Sequence, residues 1–169
     1  GRPVHSLHSY FLRPGDPSVP IIYEVDRIRD GKSFTTRRVM AIQHGQAIFS
    51  MAVSFHGDED GLDHQMAGPA VPKPEALPSD AEFRQHVLPQ MPEAVRRFLG
   101  HSRPFEFRPV QWPEFAGPKP SAPLKQVWFR AVDHVPSDEI WMHRCLLAYV
   151  SDYNLFDVAL RPHGIPLAR

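Results

Sequence analysis

Four runs of alternating apolar and polar residues follow one another between residues 4 and 55, each separated from the next by turn chemistry. Such alternation reads as strand, because successive side chains leave opposite faces of a sheet. In residues 4–12, Leu7 and Phe11 fall on one face and Val4, Tyr10 and Leu12 on the other. Arg13-Pro14-Gly15-Asp16 is a turn by composition, and residues 21–28 follow with Ile21, Tyr23 and Val25 on one side. Asp30-Gly31 favours a tight hairpin into residues 33–43. Beyond His44-Gly45, residues 46–55 put Ala47, Phe49, Met51, Val53 and Phe55 on one face. The pattern predicts an antiparallel meander of strands about eight to ten residues long, where five or six is usual. A long antiparallel sheet needs a long object against its apolar face, most often a helix, and the sequence places none before Val4.

Proline ends this regime. Twelve of the nineteen prolines lie between Pro69 and Pro123, after an acidic, glycine-bearing stretch at residues 56–68. Proline lacks the amide donor that a ladder needs, so the region reads as a linker. Short helices are expected at residues 79–88, with Ser79 and Glu82 as a capping box, and at residues 92–99. The expected organisation is residues 1–57 as an ordered front, 58–102 as a proline-rich linker with short helices, and 103–169 as an ordered back. In the back, residues 105–110 and 126–132 read as strands. Ser137 caps a helix over residues 140–153 that is apolar around most of its circumference.

Composition excludes several function classes. Nineteen basic residues balance nineteen acidic ones in 169 residues, which removes the general electrostatic case for nucleic acid or an anionic membrane surface. At 42% hydrophobic residues the chain can build a core. One cysteine, Cys145, excludes an internal disulfide and an all-cysteine metal site. Neither a leader nor a membrane span is expected, so the expected compartment is the cytoplasm.

One carboxylate stands out. Asp152 lies at the C-terminal end of the long helix, facing the negative pole of the helix dipole, a placement that costs about 0.3–1 kcal/mol. Apolar neighbours, Ala148 to Val150 and Leu155-Phe156, are expected to desolvate it partly. Both effects favour the protonated form of a carboxylate and suit it to acid–base work. The structural alternative is an acid bonded to nearby backbone amides. Other candidates are weaker. His5 and His8 are three apart on a strand and cannot share a metal, and His44, His56 and His64 lack ligand spacing. Cys145 reads as a core thiol. Arg37-Arg38 puts two bases on opposite strand faces, which reads as surface charge rather than a phosphate clamp. The sequence contains no GxSxG, phosphate-cradling glycine loop or HExxH.

The string from Val4 to Asp16 (VHSLHSYFLRPGD) resembles a signature of the acyl-CoA thioesterase II family. Pro20 to Tyr23, Arg29 to Phe34 (RDGKSF) and Arg37-Arg38-Val39 continue the resemblance. A second diagnostic segment is matched by His143, Leu146 to Asn154 (LLAYVSDYN) and Val158 to Gly164 (VALRPHG). The resemblance implies an α+β double hotdog, in which a long antiparallel sheet wraps a central helix and the unit is repeated, here incomplete. It implies hydrolysis of fatty acyl-CoA to fatty acid and CoA by an activated water, without metal or organic cofactor. The family's catalytic set is an Asp, a Thr or Ser and a Gln, and the Asp corresponds to Asp152. The Thr or Ser and the Gln are expected beyond Arg169, and the first repeat's helix before Val4, so these 169 residues alone are expected to be inactive.

Leu146, Val150, Leu155 and Phe156 are expected to line an acyl tunnel. The expected partners are the acyl-CoA substrate and further copies in a dimer or tetramer, with no nucleic acid and no membrane. Two rival readings remain open. One is a hotdog acyl-CoA hydratase or dehydratase, which pairs an Asp with a His five residues on; here that position is Asp157. The other is a non-catalytic acyl-CoA-binding or assembly module.

Overall fold

All four alternating runs are strands: β1 (Val4–Phe11), β2 (Ile22–Asp30), β3 (Phe34–Gln43) and β4 (Gln46–His56). The structure, a computed structural model, describes residues 1–86, 88–91, 93, 96, 103–111, 119–153 and 155–165. The chain divides into two units, Gly1–Gln65 and Met66–Arg169.

The first unit is one antiparallel sheet in the order β1-β4-β3-β2, not a meander. The β1–β2 connection carries Pro14, Pro17 and Pro20 and cannot form a tight hairpin. Instead it runs across the end of the sheet, where buried Gln43 holds it. Gln43 Oε1 accepts from the Asp16 N–H at 2.8 Å, and Nε2 donates to Asp16 O at 2.8 Å and Val19 O at 2.7 Å. The tight hairpin is β3–β4, whose turn residues His44 and Gly45 both have positive φ, 50° and 72°, as a type I′ turn requires. Asp30-Gly31 instead opens the loop at residues 31–33, closed by the Gly31 N–H on Phe34 O at 2.9 Å.

Three one-residue register shifts, between Val4 and Ser6, Arg27 and Arg29, and Ala41 and Ile42, decide which side chains share a face. Directly opposed residues point the same way, and a bulge reverses the alternation. Val4 opposes Phe55 while Leu7 opposes Val53, so Val4 joins Leu7 and Phe11 rather than opposing them. Ala47 opposes Ile42 and therefore leaves the face of Phe49, Met51, Val53 and Phe55. The apolar face thus comprises Val4, Leu7, Phe11, Tyr23, Val25, Val39, Ala41 and the four β4 residues just named. Ala41 and Val53 at its centre are buried, but Leu7, Tyr23, Val25 and Phe11 are exposed, Phe11 at 76%. No helix covers this face among the described residues of the unit.

The second unit begins without regular structure, then forms a 3₁₀ turn at Pro74–Ala76, α1 (Asp80–His86) and a 3₁₀ turn at Leu88–Gln90. The capping box is present: the Glu82 N–H donates to Ser79 Oγ at 3.2 Å, and Glu82 Oε2 accepts from the Ser79 N–H. The bond from the Ser79 N–H and a second from the Ser79 hydroxyl, which donates to the same Oε2 at 3.0 Å, hold the Glu82 carboxyl below its ordinary range. The helix expected at residues 92–99 lies largely outside the described residues.

Strands β5 (Phe105–Pro109) and β6 (Val127–Ala131) form an antiparallel pair, followed by α2 (Ile140–Ser151), α3 (Phe156–Leu160) and a 3₁₀ turn at Arg161–His163. Helix α2 starts later than expected. Glu139 is its N-cap, without a side-chain cap bond, and Ser137 lies in the preceding turn. Gly164 closes the last 3₁₀ turn in the left-handed conformation, φ 60°, which suits glycine best.

Candidate active site

The β5–β6 pair sorts its side chains by face, and each face does a different job. Phe105 opposes Ala131, Phe107 opposes Phe129 and Pro109 opposes Val127, which makes one side apolar. On that side Phe105 and Phe107 are buried with Val150 of α2, and Val127, Ala131, Leu146 and Tyr153 complete the cluster. Helix α2 reaches it through Leu146, Tyr149 and Val150, and Tyr153 in the turn just after the helix continues that stripe. Tyr149 stacks on Phe105 with centroids 6.0 Å apart, and Tyr153 on Phe107 at 5.5 Å. The two tyrosine hydroxyls lie 3.0 Å apart; that hydrogen bond, with partial burial, pushes Tyr153 above the ordinary tyrosine range.

The opposite face is polar and grips the linker. Glu106 accepts from Arg130 Nε at 2.9 Å and Nη2 at 2.6 Å, and from Arg108 Nε at 2.6 Å. These two guanidiniums, Arg130 first, hold the Glu106 carboxyl below its ordinary value. Arg108 Nη1 then donates to Pro74 O at 3.0 Å and Leu77 O at 2.7 Å, and Trp128 Nε1 donates to Pro72 O at 2.9 Å. The segment at residues 72–77 of the proline-rich stretch is therefore docked on the sheet rather than freely solvated.

Asp152 is the C-cap of α2, with φ −81° and ψ −15°, and its N–H donates to Val150 O. Val150 and Tyr153 turn to the sheet, so Asp152, which lies between them on the far side of the turn, faces away. Asp152 is exposed, and the desolvation expected from its apolar neighbours is absent among the described residues. Its carboxylate takes no hydrogen bond and no ion pair among them, so the backbone-bonded alternative does not describe its geometry. Cys145, expected in the core, is exposed for the same reason: it lies on the flank of α2 away from the Leu146–Val150 stripe. Ile140, Trp141 and Leu147 are exposed too, so α2 packs through one side only among the described residues.

The four residues expected to line a tunnel separate. Leu146 and Val150 belong to the core cluster, whereas Leu155 and Phe156 are 64% and 68% exposed. Leu146 also lines a cleft of about 370 Å³ between β6 and α2, with Phe105, Phe129, His134, His143 and Leu147. His143 donates from Nε2 to Pro136 O at 3.0 Å, which ties the start of α2 to the preceding loop. Asn154 lies outside the described residues.

Sequence reasoning missed Lys125. Its ammonium lies 2.6 Å from Asp157 Oδ2, with side chains only 13% and 18% exposed, and Asp157 Oδ1 is buried without a hydrogen-bond partner among the described residues. Thirty-two residues separate the pair, so no local pattern announces it. Among the described residues no group of His, Cys, Asp and Glu could hold a metal, and no helix is long and apolar enough to cross a membrane.

Two family models match this chain. Residues 1–56 match the acyl-CoA thioesterase N-terminal domain and residues 96–169 match acyl-CoA thioesterase. The chain is 40% identical over 167 residues to mouse acyl-coenzyme A thioesterase 8, covering 95% of this chain and 52% of that protein. The crystal structure of acyl-CoA thioesterase II TesB2 from Mycobacterium marinum superposes with a TM-score of 0.70 at 39% identity, over 96% of this chain and 55% of that one. A hot dog fold protein of unknown function from Alicyclobacillus acidocaldarius gives 0.66 at 16% identity, over 98% and 55%. The chain thus spans about half the length of the proteins it matches. With long antiparallel strands in its first unit and a helix against strands in its second, it is an α+β chain of the hotdog kind and belongs to the acyl-CoA thioesterase family.

Proposed function

We propose that the protein is an acyl-CoA thioesterase, releasing a fatty acid and CoA, with Asp152 as its general base. The observation that carries this reading is the state of Asp152: an exposed carboxylate without a partner among the described residues, at the end of α2 and inside the segment that the thioesterase model matches. In the proposed step the Asp152 carboxylate accepts a proton from water as the water oxygen bonds to the thioester carbonyl carbon. The tetrahedral intermediate collapses, the C–S bond breaks, and the CoA sulfur leaves and takes up a proton. The family's Thr or Ser and Gln, which have no assigned position among these residues, would hold the water and steady the oxyanion. The reaction is written without metal or organic cofactor. Leu155 and Phe156 are exposed and Leu146 borders the cleft, which suits them to an acyl chain; Val150 would support it from the core. Hydratase chemistry is not favoured, because Asp157 stands where that reaction needs a His and is paired with Lys125. Assembly as a dimer or tetramer is proposed from the exposed apolar residues of β1 and β2, and the cytoplasm is the proposed compartment on the strength of the lone, unpaired cysteine.

The test is Asp152→Asn in the full-length chain. Turnover of acyl-CoA is expected to fall by about 10²-fold or more, with the melting temperature unchanged. A variant that melts several degrees lower yet hydrolyses acyl-CoA at the parent rate would make Asp152 structural.

A further inference from the structure

Helix α3 begins at Phe156, shortly after Asp152, and is only five residues long. A helix that short does not hold itself together. Nor does apolar burial hold it: none of its residues is fully buried, and Leu155 and Phe156 at its start are exposed. Its attachments are polar. Asp157, in its first turn, pairs with Lys125 at 2.6 Å, and both side chains are largely buried. Arg161, in the 3₁₀ turn that follows, donates from Nη1 to Leu124 O, and its own carbonyl accepts from the Ser121 N–H at 3.0 Å.

These contacts clasp residues 156–161 to the segment at residues 121–125, which leads into β6. Val127 and Ala131 of β6 belong to the same apolar cluster as Val150 and Tyr153. The connection from α2 to α3, which begins with Asp152, is thus anchored at both ends on one body. Val150 and Tyr153 anchor one end against Phe105 and Phe107, and Asp157 and Arg161 anchor the other on the lead-in to β6.

The Lys125–Asp157 pair is poorly suited to a purely stabilising role. Desolvation of two buried charges offsets much of their attraction, and an apolar pair of similar volume is often as stable. A short charged hydrogen bond fixes geometry instead. Asp157 Oδ1 has no hydrogen-bond partner among the described residues, and Arg161 Nη1 is committed to Leu124 O, so Lys125 is what holds this carboxylate among them.

We propose that Lys125 is a positioning residue for Asp152: by pairing with Asp157 it fixes where α3 starts and so holds the connection that presents the Asp152 carboxylate. The proposal rests on the reading of Asp152 as general base, but its first readout needs no turnover.

The experiment compares the full-length parent with Lys125→Met, Lys125→Arg and the double variant Lys125→Met/Asp157→Leu. The first readout is hydrogen exchange at the Tyr153 amide, which donates to Val150 O at 3.0 Å. In Lys125→Met that exchange should quicken about tenfold or more, while the amides of Leu146 to Val150 keep their rates. The second is kinetic: kcat for acyl-CoA should fall about tenfold with KM unchanged, as for a displaced group that acts in the transition state. Lys125→Arg, which keeps the ion pair, should recover both. The double variant leaves no unpaired buried charge and should regain the melting temperature lost in Lys125→Met, yet keep fast exchange and low kcat. Should Lys125→Met fail to fold, the double variant carries the same comparison. Unchanged exchange at Tyr153, or a double variant whose kcat returns with its melting temperature, overturns the proposal and leaves the pair structural. A parent that hydrolyses no acyl-CoA while the exchange behaves as expected sinks the general-base reading and leaves the clasp standing.

Discussion

In the first unit, β1 to β4 run eight to eleven residues each and leave Leu7, Phe11, Tyr23 and Val25 exposed on their apolar face. In the second, β5 and β6 run only five residues each, yet they bury Phe105 and Phe107 because α2 lies against them. Backbone pairing is abundant in the first case and scarce in the second; cover is the reverse. Strand length therefore does not make a core. An apolar side chain is withdrawn from water only when something packs on it, and that transfer is what stabilises.

The largest expected effect follows directly. Phe107→Ala should cost about 3–5 kcal/mol, since it removes a ring packed against Tyr153 and Val150. Phe11→Ala should cost about 1 kcal/mol or less, because Phe11 is 76% exposed and meets mainly Phe49, at 5.2 Å between centroids. Denaturant unfolding of the two full-length variants checks the ratio. Equal losses would mean that the face of β1 and β4 is covered in the full-length chain.

Period-two alternation made every strand legible, with ends within about two residues, because alternation is a direct print of the pleat. It did not make faces legible past a bulge. Val4 and Ala47 are on the sides opposite to those their parity suggests, since one extra residue reverses the count and leaves no local mark. Strand order was hidden for a related reason: the three prolines after β1 show that the connection is not a hairpin, but not where it goes. Of the site, the position of Asp152 at the end of α2 was legible from the helix pattern, while its exposure was not. Apolar neighbours in sequence predicted desolvation, but at a helix terminus the neighbours Val150 and Tyr153 turn away from it toward β5. Lys125 and Gln43 act on partners well away in sequence and had no signal to read.

Gln43 gives the second prediction, an intermediate effect in the first unit. Its amide satisfies three backbone groups of the β1–β2 connection, and Gln43→Ala leaves all three without that partner. The expected loss is about 1–3 kcal/mol, as large as a core truncation in an uncovered sheet. Hydrogen exchange at the Asp16 amide should quicken by the same free energy. An unchanged exchange rate would mean that the prolines alone hold the connection.

The smallest effect tests the polar face of the second unit and depends on pH. Arg130 and Arg108 hold the Glu106 carboxyl below its ordinary 4.5, so the folded state favours the ionised form more than the unfolded chain does. For a group depressed in this way the stabilisation is fully present above the unfolded value and drains away as pH falls through 4.5 and on through the lower folded value. The Glu106 side chain is 18% exposed, but that of Arg130 is 72% exposed and screened by solvent, which keeps the contribution to about 1 kcal/mol at most. Glu82 and Asp16 are depressed by their own hydrogen bonds to Ser79 and Ser18, so the parent's acid profile sums several groups. The difference between parent and Glu106→Gln isolates one. Melting temperatures of the two should lie apart near neutral pH, begin to approach each other as pH falls through 4.5, and converge only below the lowered folded value, where Glu106 is protonated in both states of the parent. Protection of the Leu77 segment should fall in the variant as well, because Glu106 aims the Arg108 guanidinium that holds Pro74 O and Leu77 O. Parallel profiles that never converge would place the loss in packing rather than charge, and the polar face would then grip the linker by shape, as the apolar face grips α2.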